Sequence, residues 1–286
     1  MKISITTLSE NTCGIGDLIG EWGLSILIET DTINVLFDTG KSISATYNAN
    51  ELGIDLSSID KIVLSHSHAD HTGGLREVLQ RIRRSEVEVI AHPDVWALRY
   101  RIRPYQADQF AGIPFQRQEL ENFGAVFNLT VKPMKLTDNI ITTGEIPMVT
   151  DFETIDSGDT RFIKEDTEFR LDEILDDRAI IINTEQGLVV ITGCAHRGII
   201  NTLYHAQQIT GVKIIHTLIG GSHLFTASEH RIRRTIMALK DLNIQRLGLC
   251  HCTGLPAITL MAQEFGDKFF FNNAGTRINI PQRTVG

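Results

Sequence analysis

The sequence predicts an α/β protein of two sheets packed face to face with helices outside. Three observations carry that reading. Each half of the chain holds an apolar strand hairpin, and each hairpin runs into alternating strand and helix patterns. The third is that 42% of the 286 residues are hydrophobic, enough for a large core in one domain or two tightly joined halves. The expected organisation is one domain over residues 1–286, interrupted by an irregular insertion at about 95–177.

The elements follow in order. Residues 1–7 alternate as a strand does, with no apolar signal-peptide core and no small-residue cleavage site. Apolar runs at 24–28 and 33–37 flank Thr30-Asp31-Thr32, a hairpin turn, and Asp38-Thr39-Gly40 closes the second run. A short helix is expected near 44–52, a strand at 61–64, a helix at 74–80 and a strand at 86–91, ended by His92-Pro93. Between 95 and 177 the pattern is less regular and reads as a lid or a solvated excursion. A second hairpin spans 178–183 and 188–191 across Glu185-Gln186-Gly187. Helices near 198–208, 228–242 and 255–265 alternate with strands at 213–219, 246–250 and 268–272.

Composition narrows the function classes. No run of 18 apolar residues occurs, so no membrane span is expected. Four cysteines in a chain this long make no disulfide framework, and the expected location is the cytoplasm. The net charge of −8 argues against nucleic acid as a partner, leaving a small-molecule substrate; oligomeric state stays open. Residues 151–177 hold 11 acidic and 3 basic side chains, so the whole net charge sits in that stretch.

The chemistry concentrates directly after Lys61-Ile62-Val63-Leu64, in Ser65-His66-Ser67-His68-Ala69-Asp70-His71-Thr72-Gly73-Gly74. Residues two apart on an extended segment project to one side, so His66 and His68 can reach one ion together. Asp70 and His71 follow as the chain turns and can aim at a second ion, and Gly73-Gly74 permits a sharp turn into the next helix. Imidazole and carboxylate ligands suit zinc first, with iron or manganese as alternatives. Two ions about 3.5–4 Å apart can share a water and lower its pKa to yield hydroxide near neutral pH. A functionless surface histidine cluster is the bland alternative, and four ligand groups packed at a strand tip argue against it.

These residues resemble the His-x-His-x-Asp-His signature of the metallo-β-lactamase superfamily. Asp38, in Leu36-Phe37-Asp38-Thr39-Gly40, is similar to that superfamily's earlier Asp motif. The resemblance covers nearly the whole chain in element order. It implies an αββα sandwich with a dinuclear metal site at a sheet edge. By the same resemblance, Leu188-Val189-Val190-Ile191-Thr192-Gly193-Cys194-Ala195-His196 takes the place of a strand that ends in a metal-bridging Asp. Cys194 stands where that Asp is expected, so His196 is the expected ligand. A Cys194 thiolate bridge and a buried filler are the other readings. His251 resembles the last histidine of the superfamily, a ligand of the second ion. If its segment is extended, Cys250 and Cys252 point away from it and join no ion with it.

His223, after Gly220-Gly221-Ser222, is a candidate substrate contact or general acid, with a packed histidine as the alternative. Asp70 could also position the attacking water. His92 ranks lower, and His205, His216 and His230 read as structural. The expected activity is that of a metal-dependent hydrolase acting, through metal-bound hydroxide, on a small ester or phosphate-containing metabolite.

Thr192-Gly193-Cys194-Ala195-His196-Arg197-Gly198, Thr143-Gly144-Glu145-Ile146-Pro147 and Ile219-Gly220-Gly221-Ser222-His223-Leu224 are similar to a subgroup named for a dihydropterin–aminobenzene phosphate synthase. That likeness implies an alternative, a transferase condensing a pterin pyrophosphate, with Arg197 or the Arg99–Arg103 group on phosphate oxygens. An iron-redox relative and a non-catalytic relative are the remaining alternatives.

Overall fold

A computed structural model of the chain describes residues 2–103, 105–155 and 161–280. The described residues divide into two compact units, one of residues 2–93, 113–130 and 272–280, the other of residues 94–103, 105–112, 131–155 and 161–271.

The first unit holds a seven-stranded sheet ordered Arg277–Ile280, Ile3–Ser9, Ser25–Thr30, Asn34–Phe37, Lys61–Val63, Val87–Ala91, Ala125–Leu129. The first three pairings are antiparallel and the last three parallel. Parallel neighbours need crossovers, which the helices Ser44–Glu51, Leu75–Ile82 and Arg117–Asn122 supply. Leu75–Ile82 shows why such a segment is helical. Leu75, Val78, Leu79 and Ile82 recur three and four apart and are all buried, each stabilising by roughly 1.5–3 kcal/mol. Arg83 ends the helix in the left-handed region at φ 57°.

The second unit has a six-stranded sheet ordered Arg246–Leu249, Ile215–Gly220, Gly187–Thr192, Ala179–Thr184, Ile140–Thr142, Met134–Lys135. Its first two pairings are parallel and the others antiparallel. The helices Ile199–Thr210 and Glu229–Asp241 make the crossovers and bury Leu203, Ile236 and Leu239 with Val190, Leu218 and Leu247. Ser228 caps the second helix by accepting the Arg231 N–H at 3.3 Å.

A four-stranded sheet, ordered Glu168–Leu171, Arg161–Glu165, Arg99–Arg101, Gln109–Phe110, completes this unit. Buried Arg99 staples it. The guanidinium donates to Asp172 at 2.6 Å, Asp176 at 2.9 Å and the Asp94 carbonyl at 2.7 Å. Removing one partner of such a buried group costs about 3–5 kcal/mol.

Two element assignments differ from expectation. The stretch 95–177 is not uniformly irregular, because it contributes strands to all three sheets. These strands are two to five residues long, and all four residues of Glu168–Leu171 are exposed, so no apolar period marks them. The last strand is Arg277–Ile280, not 268–272. There the aromatic run makes only an isolated bridge, Leu247 to Phe269. Ile278 and Ile280 point inward while Arg277 and Asn279 face out, the alternation of a half-buried strand. Among the described residues, no helix is long and apolar enough to cross a membrane.

Candidate metal centre

In the first unit, the strands Asn34–Phe37 and Lys61–Val63 run parallel, so Asp38 and Ser65 leave the sheet at the same edge. Asp38 sits at φ 60° with its side chain fully buried. Its carboxylate accepts the Ser65 N–H and the Ser65 hydroxyl, each at 2.7 Å. It also lies 2.7 Å from His71 Nδ1. A carboxylate offers no proton, so His71 Nδ1 is the donor and Nε2 keeps a lone pair. The same inventory fixes His66. Ser65 spends its one hydroxyl proton on Asp38, so His66 Nδ1, 2.8 Å from Ser65 Oγ, is a donor too. His66 Nε2 then carries a lone pair 3.0 Å from His68 Nδ1.

That spacing fits a shared ion. Two nitrogens at about 2.0–2.1 Å from one tetrahedral zinc are roughly 3.3–3.4 Å apart. Asp70, in the short helix Ala69–Thr72, places Oδ2 4.0 Å from His71 Nε2 and accepts the indole N–H of Trp22 at 3.0 Å. The structure therefore brings His66 beside His68 and Asp70 beside His71.

Gly73 and Gly74 act differently from expectation. Their φ values, −69° and −83°, are ordinary helical ones open to any residue. What requires glycine is close approach: a Cβ at either position would lie 2.1 Å from a carbonyl oxygen, Lys41 O or Thr39 O. That loop is itself pinned. Thr39 donates to the His71 carbonyl through N–H at 2.8 Å and hydroxyl at 2.9 Å. Glu21 accepts the Lys41 and Ser42 N–H groups at 3.0 Å each. Burial alone would raise the Glu21 pKa, but bonds from Ser42, Ser44 and Lys41 hold it below the usual value.

In the second unit, Thr192, Gly220 and Leu249 end three adjacent parallel strands at one edge. The loops that leave there carry Cys194 and His196, His223, and His251 and Cys252, all buried. Each loop holds one non-glycine residue in the left-handed region: Ala195 at φ 53°, His223 at 48° and His251 at 54°. Such backbone costs roughly 1–3 kcal/mol per residue and persists only where its surroundings enforce it. The His196 and His223 rings stack with centroids 4.0 Å apart.

The left-handed His251 opens a tight turn, His251–Thr253, so the segment is not extended. This changes the reading of Cys252. Its sulfur accepts the His223 N–H at 3.3 Å and lies 3.6 Å from the Cys194 carbonyl. Burial alone would raise its pKa, but hydrogen bonding with Cys194 and His223 and the neighbouring His251 and His223 rings hold it well below the usual thiol value. Cys194, His223 and Cys252 each offer a ligand atom within 4.8 Å of the others.

Two carboxyls at this edge escape the sequence motifs. Asp177, just before the strand Ala179–Thr184, accepts the Arg197 N–H at 2.9 Å. Burial pushes its pKa up to about 7; the Arg197 bond opposes the rise and neighbouring Asp176 adds to it. Glu153 caps the helix Ile199–Thr210 by accepting the N–H groups of Ile200 at 2.9 Å and Asn201 at 2.8 Å. Burial raises its pKa against those bonds. The only hint in the sequence is the acidic run that holds both; residues 156–160 of that run lie outside the described residues.

Two of the arginines expected at phosphate oxygens make bonds within the fold. Arg99 is the buried staple, and Arg197 donates to the carbonyls of Ile146 at 2.6 Å and Glu173 at 2.8 Å. His205 sits on its helix, 3.2 Å from the Thr143 carbonyl, and His216 lies 2.7 Å from the Thr217 hydroxyl. His92 is buried after its strand and His230 is exposed on a helix.

Comparison with known proteins shows the family. A sequence profile of the metallo-β-lactamase superfamily matches residues 23–204. A 7,8-dihydropterin-6-methyl-4-(β-D-ribofuranosyl)-aminobenzene-5'-phosphate synthase of Methanocaldococcus jannaschii is 33% identical over 96% of this chain and 95% of its own. The anti-Pycsar protein Apyc1 of Bacillus phage vB_BsuM-Goe3 is 45% identical over only 49 residues, 17% of this chain and 18% of its own. Among solved structures, a metal-dependent hydrolase of the β-lactamase superfamily superposes with TM-score 0.83 at 28% identity, covering 97% of this chain and 99% of that one. The chain belongs to the metallo-β-lactamase superfamily and has its α/β fold of mixed sheets flanked by helices.

Proposed function

We propose that this protein is a metal-dependent hydrolase acting on a small ester or phosphate-containing metabolite. In this reading His66, His68, Asp70, His71, His196 and His251 together hold two divalent ions, zinc first among the candidates. Such ions, when bound, activate water and stabilise the charge that develops on the substrate. The chain's own residues prepare for this. Asp38 and Ser65 hold protons on Nδ1 of His71 and His66, which leaves the Nε2 lone pairs for ligation. That tautomer control is the observation that carries the proposal. A surface histidine cluster has no use for a buried carboxylate behind it. Asp70 is assigned as a ligand that also orients water, and His223 as a general acid. The proposal places the enzyme in the cytoplasm.

A second reading has its own support. The methanogen relative named as a synthase aligns over nearly the full length, so a transferase condensing a pterin pyrophosphate with loss of pyrophosphate competes with the hydrolase. One experiment separates them: metal quantification of purified protein, followed by a screen of phosphodiesters, lactones, thioesters and pterin pyrophosphates. We expect about two ions per chain and hydrolytic turnover. We also expect His68→Ala and His251→Ala to abolish activity while remaining folded. Condensation without hydrolysis would favour the synthase. Metal content unchanged in both variants would sink the ligand assignment.

A further inference from the structure

We infer that Cys194, His223 and Cys252 form a thiolate–imidazole metal-binding set for a borderline-soft divalent ion such as zinc. All three lie in the second unit, on three successive loops at the carboxyl ends of adjacent parallel strands. They are 2%, 5% and 2% exposed, and their ligand atoms fall within 4.8 Å of one another. Zinc–sulfur bonds near 2.3 Å and zinc–nitrogen bonds of about 2.0–2.1 Å place tetrahedral ligands roughly 3.5–3.8 Å apart, inside that limit.

Two further observations point to a ligand. The buried Nδ1 of His223 has no hydrogen-bond partner among the described residues. Buried polar atoms are rarely left so. The sulfur of Cys252 is also held in place: a Cβ on Gly221 would lie 2.6 Å from it, and 2.4 Å from Gly193 O. A filler cysteine is the usual role of a buried thiol. Filling space does not explain two thiols and a partnerless imidazole nitrogen converging from three strained loops.

The charge balance suits burial. Binding releases the two thiol protons to solvent, and two thiolates then neutralise a divalent ion. Three protein ligands leave one position for water or another exchangeable group. The donor set differs from the histidine–aspartate set of the first unit, and His223 serves here as a ligand in place of the general-acid role given above.

Cobalt(II) titration of the reduced, chelator-treated full-length protein tests the site, because thiolate ligation gives a near-ultraviolet charge-transfer band and imidazole or carboxylate ligation does not. We expect the band in the wild type and in His68→Ala, and its loss in Cys252→Ser and Cys194→Ser. Its persistence in His68→Ala separates this site from the hydrolase reading. A band that survives Cys252→Ser, or its absence from the wild type, overturns the inference. Alkylation of the wild type guards against misfolded variants: zinc must slow modification of both Cys194 and Cys252. Equal rates with and without zinc would overturn it as well.

Discussion

Asp38 holds the Nδ1 proton of His71 across 2.7 Å, and both side chains are fully closed to solvent. The carboxylate thus decides which ring nitrogen of His71 is left to bind an ion. Asp38→Asn keeps the shape and removes the charge. An asparagine amide turned toward these three donors meets at least one of them N–H to N–H. We expect metal affinity to fall about 10–100-fold, the range for such supporting partners. Stability should drop by roughly 1–3 kcal/mol for the mismatched buried groups. Zinc competition and urea unfolding read the two effects; unchanged affinity would show that Asp38 serves the fold alone.

Much of this centre was legible in the sequence because His66, His68, Asp70 and His71 are contiguous and sit at a strand tip. The Asp38 motif was legible through its resemblance to the superfamily's earlier Asp motif. Asp177 and Glu153 were not. Each is one carboxylate in a run of 11 acids, and only burial against the second unit's strand edge and helix end tells them apart. The grouping of Cys252 with Cys194 and His223 was not legible, because nothing local announces the left-handed histidine at 251 or the meeting of three separate loops. The strand Arg277–Ile280 was overshadowed by the aromatic run before it, whose β-propensity exceeds its pairing.

Gly73 and Gly74 give a test of packing free of charge effects. Gly74→Ala would place a methyl group 2.1 Å from the Thr39 carbonyl, so the loop 39–42 must move. Overpacking of this kind costs about 1–3 kcal/mol. Because Thr39 also bonds the His71 carbonyl, the shift should reach the ligands, and bound metal should fall with stability. Gly53→Ala is the control, since a Cβ there meets nothing within 4 Å. Its positive φ carries only the backbone cost. A Gly74 variant with full metal content would separate the loop from the centre.

Asp177 predicts a pH dependence with a definite sign. Its pKa is raised from 3.8 to about 7 in the folded chain, so between those values the native state holds a proton that the unfolded state has lost. Stability therefore falls as pH rises from about 4 to 7, at up to about 1.4 kcal/mol per unit. Asp177→Asn removes the titrating group, and its side-chain oxygen can still accept the Arg197 N–H. Urea unfolding at pH 5 and pH 8 should show a smaller loss in the variant than in the wild type. Equal losses would mean that Asp177 is charged in both states.

Trp22 is 46% exposed, yet its indole N–H is committed to Asp70 Oδ2 at 3.0 Å. Its neighbours leave the ring little freedom: Glu21 bonds the loop 41–44, and a Cβ on Gly23 would lie 2.8 Å from Asp70 O. The bond holds the same carboxylate oxygen that lies 4.0 Å from His71 Nε2. Trp22→Phe keeps an aromatic ring and deletes the N–H, so Asp70 gains rotational freedom while the fold is undisturbed. We expect an unchanged unfolding midpoint and a metal affinity about tenfold weaker, at the lower end of such supporting effects. Trp22→Leu should weaken metal to the same degree, because the N–H and not the ring is the active part. If Leu is worse than Phe, the exposed ring contributes by packing, and the orienting role of the indole is refuted.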